Sequence, residues 1–170
     1  VPVKNYPLLL RTFALLHAKN DQVRLVLIGQ GPDEDALRNL ACKLGISDNV
    51  HFIVGQKAYG YYPLFDVFVQ SSDKEGISIA LLEAMSAGVP CIVTNRNDFH
   101  AVIKHGYNGL LVAHNNAYLL AIALEKIIHD QKLRSHLVKN AYEVLEKNFD
   151  QHKMISAYQQ LYEAPREISI

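Results

Sequence analysis

Residues 71–90 concentrate the side chains most able to do chemistry. The segment runs Ser71-Ser72-Asp73-Lys74-Glu75-Gly76 into an apolar stretch, Ile77-Ser78-Ile79-Ala80-Leu81-Leu82, then Glu83-Ala84-Met85 and Gly88-Val89-Pro90. Gly76 lets a backbone approach a ligand closely. The N–H groups of Ile77, Ser78 and Ile79, at the start of a helix, form an anion site suited to a diphosphate. Glu83 interrupts an otherwise apolar helix, where an unpaired carboxylate is costly to bury. It falls ~9 Å along that helix at ~1.5 Å per residue, the reach from a bound diphosphate to its ribose. A carboxylate there can accept both vicinal ribose hydroxyls. Glu75, ahead of the helix, lies on the other side of the phosphates, where a sugar would project. Taken singly, each has a plainer reading: Glu83 as a helix carboxylate paired with a lysine or water, Glu75 as an acidic residue favouring a helix start.

The elements that must hold these residues can be read from apolar periodicity. Runs rich in β-branched and aromatic residues at 24–28, 50–54, 66–69, 91–93 and 109–112 predict buried strands. Between them, helical spacing is found at 6–18, 33–44, briefly at 59–62, at 77–87 and at 99–103. Alternating strands and helices, with strands nearly continuously apolar, predict an α/β fold: a Rossmann-like, doubly wound parallel sheet with right-handed crossovers. Asp33 is placed as a helix N-cap and Gly45 as the stop of the same helix. From 115 to 163 the chain reads as a C-terminal helical layer, with a stripe at Leu119, Ile122, Ala123, Lys126 and Ile127. Open α/β sheets bind ligands beyond the carboxyl ends of their strands. That rule selects four loops: 29–32, 54–56, 70–76 and 94–99. The first helix has only residues 1–4 ahead of it, so a first strand and the sequence upstream are expected to be missing from this chain.

Composition narrows the partners. The 170 residues suit one domain, and Lys plus Arg equals Asp plus Glu at 17 each, a balance that gives no net attraction to nucleic acid or to an anionic membrane. No apolar run approaches the ~20 residues of a membrane-spanning helix, and the N-terminus lacks a signal-peptide pattern. The chain is therefore expected to be cytoplasmic. Cys42 and Cys91 stand in apolar surroundings without zinc spacing and are read as reduced core thiols; with the eight histidines scattered, no metal site is expected. The cluster Tyr59, Tyr61 and Tyr62 is read as packing rather than as a sugar-stacking platform.

The pattern Ser-Ser-x-x-Glu-Gly-x6-Glu-Ala-Met-x-x-Gly-Val-Pro, with Glu75 and Glu83 eight apart, is similar to the signature of the GT-B retaining glycosyltransferases usually called family 4. Other landmarks agree in order: residues 26–32 with Gly29-Gln30-Gly31-Pro32, then 49–55, 62–72, the Gly106-x-Asn108-Gly109-Leu110-Leu111-Val112 run and the closing 149–162. The resemblance covers nearly the whole chain, but only the C-terminal, donor-binding domain of the two that such enzymes possess.

That resemblance implies a division of labour. Glu83 would hold the ribose, Glu75 the donor sugar, and the amides of Gly76, Ile77, Ser78 and Ile79 the diphosphate. Val54, Gly55 and Gln56 would meet the nucleobase. Lys4 resembles the lysine of an Arg-x4-Lys pair that neutralises the leaving diphosphate, the arginine falling before residue 1. No cofactor is implied beyond a nucleoside diphosphate sugar donor carrying UDP, GDP or ADP. The acceptor, a saccharide or a lipid-linked one, would be met by an absent N-terminal domain, with the intact protein peripheral at the inner face of the membrane. One departure stands out: where the family often has Gly-Gly before a Glu, this chain has Arg96-Asn97-Asp98-Phe99-His100, read as a solvated loop or as a substitute phosphate or sugar contact. Two other readings remain, a nucleotide-sugar epimerase and a non-catalytic nucleotide-binding or interaction module of the same fold.

Overall fold

The structure, a computed structural model, describes residues 4–73, 76, 78–94 and 97–149. Along them the elements run α1 (Tyr6–His17), β1 (Leu25–Ile28), α2 (Glu34–Lys43), β2 (Val50–Ile53), β3 (Phe68–Gln70), α3 (Ile79–Ser86), β4 (Cys91–Thr94) and β5 (Leu110–Val112), with short 3-10 turns in place of a helix between β2 and β3 and between β4 and β5. Two helices follow, α4 (Ala117–His129) and α5 (Gln131–Asn148). Every strand pair is parallel: β1 with β2, β3 with β4, and β4 with β5.

β4 shows why its sequence is apolar at consecutive positions. Cys91 and Val93 face a cluster that includes Leu81, Ala84 and Met85 of α3. Ile92 points the other way, into a cluster with Leu120, Leu124 and Ile127 of α4 and Leu137 of α5. Alternate residues of a strand face opposite sides, so a strand covered on both must be apolar throughout. This is the doubly wound arrangement. A third cluster joins Leu9, Leu10 and Phe13 of α1 to Leu27, Leu37 and Val50.

The strands form two groups, β1-β2 and β3-β4-β5, with no ladder joining β1 to β3 among the described residues. Residues 22–28 and 64–72 instead line a largely apolar cavity of about 820 Å³, whose wall includes Leu9, Phe13 and Leu16 of α1. The helix α1 packs on both α2 and α4, bridging the two groups. Lys4, just ahead of α1, shares a smaller cavity with Gly29 and Gly31 beyond β1, and its carbonyl accepts from Ser71 beyond β3. The carboxyl ends of both groups therefore lie on the same side.

Several boundaries differ from those predicted. The expected helix at 77–87 begins only at Ile79, because Ser78 acts as its cap. The turn at 59–62 is two short 3-10 turns, Ala58–Gly60 and Tyr62–Leu64, and 99–103 becomes the 3-10 turn Asn97–Ala101. The C-terminal layer breaks at Asp130, whose side chain accepts from the Leu133 amide at 2.9 Å to start α5. The stripe assigned to α4 holds at Ile127, which is buried, and at Ala123, which packs against the same cluster, but not at its other positions. Leu119 and Ile122 are 41% and 42% exposed, and the buried face is Leu120, Ala121, Leu124 and Ile127. In a helix apolar nearly all round, periodicity does not say which stripe faces inward. Cys91 is buried as expected, but Cys42 is exposed on α2. Among the described residues, no helix is long and apolar enough to cross a membrane.

Candidate functional site

The start of α3 is fixed from beneath by a buried polar network. Ser78 Oγ accepts from the Leu81 amide at 3.3 Å and donates to Gln70 Oε1 at 2.8 Å. Gln70 Nε2 reaches Ser72 Oγ at 3.5 Å, and Thr94 Oγ1 donates to the Ser72 carbonyl at 3.0 Å. Gln70, Ser72, Ser78 and Thr94 are all buried. Buried polar groups are costly unless paired, so this network locks the helix start to the ends of β3 and β4. Ser78 takes the amides of Leu81 and Leu82. The amides of Ile79 and Ala80 precede any helical acceptor and have no partner among the described residues, which leaves them as donors suited to an anion.

Gly76 is exposed, and a Cβ placed there would meet nothing within 4 Å. Packing does not demand a glycine at this position, whereas close approach by a ligand would. Ile79, the first residue of α3, is 70% exposed despite being apolar. Glu75 and Ile77 lie outside the described residues, so their assignments stay at the level of sequence.

Glu83 is half-buried on α3. Its partner is not a lysine: the Tyr62 hydroxyl donates to Glu83 Oε2 at 3.2 Å, and no ion pair involves Glu83 among the described residues. The ring of Tyr62 is buried and meets Phe65 and Phe68 edge-on, at centroid distances of 6.4 and 5.9 Å. Burial, and then the neighbouring Glu83 charge, push the Tyr62 hydroxyl well above its ordinary pKa, keeping it a donor.

Lys4 is brought to the same side of the fold as α3. Ser71 Oγ donates to the Lys4 carbonyl at 2.8 Å and to the Asn5 carbonyl at 3.2 Å. Asn5, at a φ of 49°, caps α1 and donates from Nδ2 to Asp73 Oδ1 at 2.9 Å and to Asn115 Oδ1 at 2.8 Å. His114 Nε2 lies 3.3 Å from the same Asp73 oxygen. One asparagine thus clips together the start of α1, the loop after β3 and the turn before α4. Val54, Gly55 and Gln56 are exposed beyond β2, in the other strand group; Gly55 has a φ of 72°. The Gly29 amide donates to the Ile53 carbonyl at 3.0 Å, tying that turn to the end of β1.

Of the segment departing from the family pattern, the part from Phe99 onward can be placed. Phe99, Val102 and Ile103 are buried, while His100 is exposed and Arg96 lies outside the described residues. No group of three or more His, Cys, Asp or Glu residues that could hold a metal ion occurs among the described residues. Sequence reasoning missed Tyr62, Gln70 and Asn5 as site-forming residues. Asn5 carried a legible signal, an N-cap residue just before Tyr6-Pro7, and so did Gln70, a polar residue closing an apolar strand.

The comparisons with known proteins agree with this geometry. The family profile described as "Glycosyl transferases group 1" matches residues 1–144. The chain is 34% identical over 140 residues to the lipopolysaccharide core biosynthesis glycosyltransferase LpsE of Rhizobium meliloti, covering 82% of this chain and 41% of that protein. Two solved structures share the fold. A crystal structure of S. aureus TarM in complex with fondaparinux, alpha-GlcNAc-glycerol and UDP matches with a TM-score of 0.90 at 19% identity, over 96% of this chain and 34% of that one. Anabaena Alr3699/HepE in complex with UDP-glucose matches with a TM-score of 0.84 at 22% identity, over 96% and 45%. The present chain thus spans about two fifths of the relative it matches and repeats one half of a GT-B architecture. With the profile running through both strand groups and the α3 site, the chain belongs to the glycosyl transferases group 1 family.

Proposed function

We propose that this chain is a single C-terminal donor-binding domain of a retaining, family 4-type glycosyltransferase, and that it grips a nucleoside diphosphate sugar from which the whole protein transfers a hexosyl group. The observation that carries the reading is Glu83: a half-buried carboxylate whose partner among the described residues is the Tyr62 hydroxyl and not a cation, on a helix whose start is capped by Ser78. The amides at the start of α3 and the Lys4 ammonium would take the diphosphate, Glu83 the ribose, Glu75 the sugar, and residues 54–56 the base. Catalysis would rest on orientation and on stabilising the departing diphosphate charge.

The TarM and HepE crystals contain UDP and UDP-glucose, which supports UDP ahead of GDP or ADP. The name of LpsE supports a saccharide or lipid-linked acceptor in polysaccharide biosynthesis, met by a further domain at the cytoplasmic face of the membrane. This chain by itself should bind donor without turning it over. Titration calorimetry of UDP, GDP and ADP against the chain and its Glu83→Ala variant tests the reading. One nucleotide should bind, and the variant should weaken it about tenfold or more, as expected for lost hydrogen bonds to a charged group. Equal affinity in both proteins would remove the ribose assignment.

A further inference from the structure

We propose that Tyr62 is the positioning residue for the ribose-binding carboxylate, a role that rests on the assignment of Glu83 above. Its hydroxyl donates to Glu83 Oε2 at 3.2 Å. The rest of its side chain is held where such a donor needs to be rigid. The residue is 2% exposed, and its ring stands edge-on to both Phe65 and Phe68. It begins the short turn Tyr62–Leu64, whose amides at Leu64 and Phe65 bond back to Tyr61 and Tyr62. The phenol oxygen therefore comes from a packed wall, on a side chain with few rotatable bonds, and meets a carboxylate on a long flexible one.

The hydrogen-bond inventory fits this role. An ionised carboxylate offers about four acceptor positions. Tyr62 takes one of them on Oε2, and Oε1 has no partner among the described residues. A vicinal diol donates two hydrogen bonds, and the positions left after Tyr62 accommodate both. A carboxylate tethered through one oxygen keeps the other in a narrower range of orientations, so less rotamer entropy is lost when a ligand arrives. A lysine partner would neutralise Glu83 and compete for both oxygens; a tyrosine hydroxyl steers it and leaves its charge intact. Tyr62 lies 21 residues from Glu83 in sequence, and the pair meets only because the turn before β3 folds over α3.

Tyr62→Phe removes one oxygen and keeps the ring packing, so it separates steering from folding. The protein at its natural length is titrated with UDP, GDP and ADP, and with the 2′,3′-dideoxy form of the nucleotide that binds, as wild type, Tyr62→Phe, Glu83→Gln and the double variant, with thermal unfolding followed alongside. Tyr62→Phe should weaken the ribonucleotide about 5–10-fold, leave the dideoxy nucleotide unchanged, and cost nothing further in the Glu83→Gln background. Equal losses on both nucleotides, or in both backgrounds, would make Tyr62 a structural residue only and overturn the proposal, as would no loss at all. If Glu83→Gln leaves ribonucleotide affinity unchanged, the ribose assignment fails and this role fails with it. If Glu83→Gln weakens binding and Tyr62→Phe does not, the role of Tyr62 alone is lost.

Discussion

Asn5 and Asp73, 68 residues apart, are joined by a 2.9 Å hydrogen bond from Asn5 Nδ2 to Asp73 Oδ1, which ties the loop ahead of the candidate diphosphate site to the first turn of α1. The same asparagine caps α1 through Leu8 and sits in the left-handed backbone region at a φ of 49°.

Replacing Asn5 with alanine removes a cap, a clip and a residue that tolerates left-handed backbone. The expected destabilisation is about 1–2 kcal/mol. Asn5→Gly relieves the backbone strain while still losing the clip. In urea titrations Asn5→Gly should be the more stable of the two, yet both should bind nucleotide several-fold more weakly than wild type. Wild-type affinity in Asn5→Gly would mean that the clip does not order the loop.

Gly88 is favoured by its backbone, and a larger residue there would also displace the end of the partly exposed Tyr142 side chain. The φ of Gly88 is 74°, and a Cβ built there would stand 2.6 Å from Tyr142 Oη. Gly88→Ala should cost about 1–3 kcal/mol from strain and overpacking together. Adding Tyr142→Phe removes the contacting oxygen and should recover the steric part while leaving the backbone part. A double variant no more stable than Gly88→Ala, measured by chemical denaturation, would put the whole cost in the backbone.

Two buried acids predict an alkaline limit. Burial raises the pKa of the Cys91 thiol above its ordinary 9.0, and burial followed by Glu83 raises that of Tyr62 above its ordinary 10.0. Each group is neutral in the folded chain at a pH where the unfolded chain has lost its proton. The stability that each supplies is complete below its unfolded pKa and is lost as pH rises toward the folded one. Unfolding free energy should therefore begin to fall near pH 9, by ~1.4 kcal/mol per pH unit for each such group. In Cys91→Ala the fall should begin about one unit later, as only the tyrosine remains. At neutral pH a thiol reagent should label exposed Cys42 quickly and buried Cys91 only on unfolding.

What the sequence made legible was governed by local patterning. The strands around Leu27 and Val93 were readable because burial of successive residues demands unbroken apolar runs, and the one around Phe52 because its apolar residues are β-branched or aromatic despite the exposed His51. The turn at Gly45 was readable because its φ of 69° suits glycine. The α4 stripe was right at Ala123 and Ile127 and misplaced at Leu119 and Ile122, because Ala117 to Ile128 is apolar on nearly every side and only the neighbours of Leu120 and Leu124 decide which face is buried. The start of α3 moved from Ile77 to Ile79 because Ser78, with Gln70 beneath it, serves better as a cap than as a helical residue. Glu83 could be picked out as an anomaly in an apolar helix, but its partner Tyr62 could not. That pairing is created by tertiary folding, and the tyrosine cluster at 59–62 carried no spacing that pointed to it.

The two ends of the proposed site stand on different strand groups, which share no ladder among the described residues. The turn at 54–56 follows β2 in one group and α3 follows β3 in the other, with α1 and the side chains around the cavity lying between them. A nucleotide long enough to touch both would span the two groups. Its base and its phosphates would then bind as a chelate: each end, once seated, raises the effective concentration of the other at its own site, an advantage that neither a free nucleoside nor free diphosphate would have.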